Sequence, residues 1–206
     1  MGAEDHRSWS EERLRRRPAS AVLLRAPKRL VRARTLALVS LALFTPLAGP
    51  RGQSLEPSAK ANDLYMLAQI VAWPANAFAS PTSPFVICLQ GPDPFQGLLD
   101  RIVARQRIDD RPILVERLAK LDSASRCHLA YLAGSAAQSR AAALDAVRGA
   151  PVLTVTDDAG GPGPRGIVHF VLAKGRVGFE VDMRLAETAG VTVSSKLLAL
   201  AVRVVR

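Results

Sequence analysis

Hydrophobic and polar positions are most clearly ordered in the last third of the chain. Residues 151–156 (PVLTVT) form a short apolar run of strand length, broken by the Gly/Pro-rich stretch at 157–166. A second apolar run covers 167–172, and Ala173-Lys174-Gly175 then reads as a tight turn. Residues 176–182 alternate. Val177, Phe179 and Val181 fall on one side of that strand, leaving Arg176, Glu180 and Asp182 on the other. Residues 194–201 (SSKLLALA) predict a short amphipathic helix.

Upstream, Leu64, Leu67, Ala68 and Val71 recur at helical spacing within 58–71, and the helix is expected to stop at Trp73-Pro74. Residues 85–89 form the first strand. Asp93 is a good N-cap and Pro94 a good first helical residue for a helix running to about 106. Strands at 113–115, 127–132 and 152–156 follow, with a helix at 136–147 ended by Gly149. This alternation implies right-handed crossovers. The expected fold class is α/β, a single-domain sandwich whose mostly parallel central sheet is flanked by helices and ends in a C-terminal antiparallel hairpin.

The N-terminal pattern is different. A basic region ends at Arg32 and Arg34, and residues 35–49 are uncharged and apolar, with small residues at Ala48 and Gly49. Basic, apolar, small is the order of a secretory signal. The 15-residue run is short for a bilayer span, with an uncleaved anchor as the alternative. The expected division is a leader at 1–52 and one domain at 53–206. Removal of such a leader changes the charge picture. Of the formal +10, the leader carries 11 Lys/Arg and 4 Asp/Glu, leaving 17 basic against 14 acidic residues, a net of +3. No basic cluster marks the remaining domain, so nucleic acid is not an expected partner.

Both cysteines, Cys88 and Cys127, lie in the mature part within apolar runs. An even count in an exported protein points to a disulfide, the alternative being two separate buried thiols. Candidate chemistry is thin. His128 stands beside Cys127, but neighbouring strand residues point to opposite faces and do not chelate one ion. His169 has no carboxylate pattern around it. Gly91-Pro92-Asp93-Pro94 opens a helix, yet it lacks the repeated glycines and N–H donors of a phosphate loop. Asp109-Asp110 and Asp157-Asp158 read as solvated turn residues without calcium-loop spacing. Ser195-Lys196 is the one dyad open to a hydrolase reading. No cofactor or metal is expected.

In order and spacing, a set of motifs resembles the YfiR-like family of bacterial periplasmic regulators. The set runs through Lys60, Trp73-Pro74, Gly91-x-Asp93-Pro94-Phe95, Arg111-Pro112-Ile113 and Cys127-His128, then Val152-Leu153-Thr154-Val155 with Asp157. It continues with Gly166, Phe170, Arg176-Val177, Phe179-Glu180, Ala189-Gly190, Ser194-Ser195 and Leu197-Leu198. The chain departs from the usual family residues at His169 and Asp182, where Asn is common, and at Lys196, where Arg is common. The resemblance implies a non-enzymatic inhibitor that binds the periplasmic part of an inner-membrane diguanylate cyclase and lowers cyclic di-GMP, with Cys88–Cys127 as staple or redox switch. For the partner contact, the C-terminal hairpin is the favoured surface, with Phe170, Arg176, Glu180 and Asp182 as candidates and a solvated strand face as the alternative; Trp73 is either a hydrophobic anchor or a core lid. A homodimer through an exposed sheet edge is compatible with this reading. The alternative is a domain that senses a small ligand and feeds another membrane signalling protein such as a histidine kinase. Its binding wall would be residues 91–95 and 157–166, beyond the carboxyl ends of the strands.

Overall fold

The computed structural model describes residues 55–206; the expected leader at 1–52 lies outside the described residues. Helix α1 (Glu56–Ile70) begins two residues earlier than its pattern predicts, with Pro57 in its first turn. It ends where Val71 turns extended to join β1 (Val71–Ala72), ahead of Trp73-Pro74. Strands β2 (Phe85–Gln90), β5 (Leu129–Leu132) and β6 (Leu153–Asp157) are buried at every position. That is why they read as continuous apolar runs rather than alternations. β4 (Arg111–Leu118) is longer than its apolar core suggests, continuing through Glu116 and Arg117, with Pro112, Leu114 and Glu116 alternating outward.

Two elements differ from expectation for local backbone reasons. The helix expected from Pro94 is only α2 (Leu98–Val103), because Gln96 and Gly97 both adopt positive φ and place a turn where helix was expected. Asp109-Asp110, with φ of 47° and 61°, form the two-residue turn of a hairpin between β3 (Arg107–Ile108) and β4. The helix expected at 136–147 is α3 (Arg140–Ala146), capped by Ser139, whose Oγ accepts from Ala142 N.

The hairpin of β7 (Val168–Ala173) and β8 (Arg176–Asp182) forms as expected. Lys174 and Gly175 at φ 52° and 75° make its turn. Beyond it lie α4 (Met183–Ala189), β9 (Thr192–Val193), α5 (Ser195–Leu200) and β10 (Arg203–Val205). The main sheet has eight strands in the order β10-β8-β7-β6-β5-β2-β4-β3. Five of its seven pairings are parallel; β7–β8 and β3–β4 are antiparallel. A second small sheet pairs β1 with β9. The architecture is therefore the expected α/β sandwich with its C-terminal hairpin.

One face of the sheet packs on α1, α2 and α5 through Phe85, Ile87, Leu89, Leu129, Val155 and Phe170. The other face is smaller. There α3 lays Ala143 and Val147 over Val86, Cys88, Ala130, Leu132 and Val152.

Candidate functional site

A disulfide joins Cys88 of β2 to Cys127, just ahead of β5, with the Cα atoms 5.8 Å apart. Both cysteines belong to the smaller core. His128 next to it is structural. It donates its backbone N–H to Val86 O, and its Nδ1 accepts from Val86 N at 3.0 Å. The ring thus supplies the return bond that a longer β5 would have given. Burial holds its pKa below the ordinary 6.5, consistent with a neutral ring.

Trp73 is a partly buried lid. Its Nε1 donates to His128 O at 3.0 Å and its ring meets Phe85 edge-on. Phe170 is 1% exposed within the larger core. A side chain so enclosed offers a partner no surface, and this corrects its placement among the contact residues. Asp182 caps α4, accepting from Arg184 N and Leu185 N, and pairs with the Arg184 guanidinium. Glu180 accepts from Arg203 Nη2 at 2.6 Å and from Arg165. It thereby ties the edge strand β10 and the residue 158–167 connection to the hairpin. Arg176 stands exposed beside the turn, and Leu172 across it is exposed too. Of the five contact candidates, then, Arg176 is open to solvent, Glu180 and Asp182 carry internal bonds, and Trp73 and Phe170 support the core.

The carboxyl ends of the parallel strands hold a charged cluster that the sequence did not reveal. Asp157 was expected to be solvated; instead it is 1% exposed and its carboxylate accepts from Lys60 Nζ at 2.9 Å, Tyr131 Oη at 2.5 Å and Ala159 N. Lys60 also reaches Glu56 at 2.6 Å. Burial pulls the Lys60 pKa down, but the two carboxylates outweigh it and leave it above its ordinary value. Burial, then Asp157, pushes the Tyr131 hydroxyl upward, so it stays a donor. The only sequence signal was the Lys at an inward helical position, a residue that buries fully only when paired.

A second chain of contacts lies on the opposite face. His169 is buried, with Nδ1 2.8 Å from Thr156 Oγ1 and Nε2 3.1 Å from Asp158 Oδ1. The carboxylate that the strand pattern lacked is delivered by the connection after β6. Thr156 Oγ1 also accepts from Gly166 N, and Thr154 Oγ1 from Ile167 N, so these two threonines anchor the Gly/Pro-rich connection to the sheet. Ser195 and Lys196 are exposed on the first turn of α5, with Ser194 as the cap. Among the described residues no cluster of three His, Cys, Asp or Glu is placed to hold a metal. No helix among them is long and apolar enough to cross a membrane.

The sequence matches the model of the YfiR/HmsC-like family over residues 57–202, most of the described chain. No curated protein matches it.

Proposed function

We propose that this chain, which belongs to the YfiR/HmsC-like family of regulators, acts in the periplasm as a non-enzymatic repressor of an inner-membrane diguanylate cyclase. It lowers cyclic di-GMP by binding the periplasmic part of the cyclase. The observation that carries the reading is the family match across 57–202, which takes in the whole sheet except its edge strand β10. The geometry supports a binding role. Glu180, Asp182, His169 and Asp157 are engaged in internal bonds that shape the fold. Repression requires that the cyclase have two states and that this chain bind the inactive one more tightly. Arg176 and Leu172, exposed at the hairpin, are the proposed contacts. The Cys88–Cys127 bond is the proposed redox element, since it staples β2 to the start of β5 and its reduction would lower the stability of the fold.

Measuring cyclic di-GMP in a deletion strain tests this. The level should rise on deletion and return with the intact gene. An unchanged level with a cognate cyclase expressed would refute repression. Restoring the gene as Cys88→Ser reads out the thiol pair separately.

A further inference from the structure

In the sheet the chain winds outward from β2 in two directions. It crosses through α2 to β4 on one side, and continues from β5 through α3 to β6 on the other. Sheets of this kind leave a crevice at the carboxyl ends of the strands where the connections diverge, and ligands bind there. Beside β2 that crevice is shut. Gly91 has φ of 90°, and a Cβ on it would lie 2.5 Å from Gly134 O. The open space is displaced toward β6. A cavity of about 430 Å³ lies between Gly134, Ser135, Ser139 and Arg140 on one wall and Gly163 and Pro164 on the other.

Arg140 projects under that second wall. It is 6% exposed, and Nη1 donates to Gly161 O at 3.1 Å. Nε and Nη2 are buried and have no hydrogen-bond partner among the described residues. Guanidinium N–H groups shut away from water without acceptors carry a desolvation penalty that an incoming acceptor pair would relieve. The carboxylates whose fields reach the neighbouring Tyr131, Asp157 and Glu56, are both bonded by Lys60. The repulsion they exert on an entering anion is thereby partly cancelled. Ser139 Oγ accepts from Ala142 N, which leaves its proton to donate into the cavity.

We propose that this cavity is a binding site for a small oxyanion, a carboxylate or phosphate group that takes the idle Arg140 donors through two oxygens. The planar fork of a guanidinium matches either group. Because Nε and Nη2 are sealed in, the anion reaches them when residues 161–164 lift. That segment lies between the 3-10 turn Asp158–Gly160 and β7, with no strand or helix of its own. The site is independent of whether a cyclase is the partner.

Titrating the purified protein with acetate, glutamate and inorganic phosphate, against chloride at constant ionic strength, tests the proposal by calorimetry and thermal shift. At least one oxyanion should bind saturably at a single site; the responding arm separates a carboxylate ligand from a phosphate one. Arg140→Gln should weaken that binding at least about tenfold, as expected for losing a charge-assisted bond pair. Arg140 also holds Gly161, so Gly163→Val provides a second route. A Cβ at Gly163 meets Arg140 Nη1 at 3.6 Å, an ordinary contact, and the position does not have a left-handed φ. The valine narrows the cavity beside the guanidinium, leaves Arg140 in place, and should weaken binding to a similar degree. The absence of a saturable response in all three arms, or a response retained by either folded variant, overturns the site.

Discussion

On the face covered by α1, α2 and α5, aromatic and branched side chains from five central strands merge into one apolar core. On the opposite face α3 covers only the middle of the sheet, and the buried positions beyond it are Thr154, Thr156 and His169. The first face is held by packing, which is non-directional and tolerates no cavity. The second relies on the disulfide and on specific hydrogen bonds, interactions that reduction, protonation or a ligand can change. A regulator needs a part that resists its surroundings and a part that responds to them. Here the two are separated by a single layer of strands.

The largest expected effect falls on the packed face. Phe170→Ala should cost about 3–5 kcal/mol in chemical denaturation, because an enclosed phenyl leaves a cavity. A loss below about 1 kcal/mol, the range of a surface change, would mean that Phe170 is not the core residue its burial indicates. On the responsive face, reducing Cys88–Cys127 or changing both to Ser should cost about 3–4 kcal/mol, mainly by freeing the unfolded chain over a separation of 39 residues. If reduction leaves the denaturation midpoint unchanged, the staple role fails.

Next comes pH. Burial, then Arg165, holds the His169 pKa below 6.5, against the opposing pull of Asp158 and Glu180. His128 is held down too, again mainly by burial. The unfolded chain therefore takes up protons more readily than the folded one. Stability should be at its full value above about 6.5 and fall as the pH drops below it. His169→Asn should flatten that acid limb, while Thr156 keeps a side-chain partner. An acid limb unchanged by the substitution would place the titration elsewhere. The smallest change is expected at Glu180. Its partners Arg165 and Arg203 are exposed and Gln keeps an acceptor for both, so Glu180→Gln should cost less than about 1 kcal/mol. A much larger loss in the proposed cyclase repression than in stability would assign Glu180 to the partner contact.

Much of the fold was legible because period and punctuation are local. The apolar runs of β2, β5 and β6, the alternation of β8 and the Lys174-Gly175 turn each carry their own signal. α2 was overextended because the positive φ at Gln96 has no marker in residue type. β3 was missed because an Asp-Asp turn lacks the glycine that flags such hairpins. The candidate site was less legible. Of its parts, the cysteine pair was read correctly, since an even count in a chain expected to be exported favours a disulfide.

The chain's own order of apolar and polar residues determined the α/β class and the hairpin, and the even cysteine count pointed to the bond that the structure forms between Cys88 and Cys127, 39 residues apart. Only the tertiary structure decided that Lys60 meets Asp157 across 97 positions, that Asp158 serves His169, and that Arg140 lies buried with idle donors. Periodicity reports which face of an element is buried. The partner a charged group finds there depends on how distant segments close over the sheet edge, which no local pattern encodes.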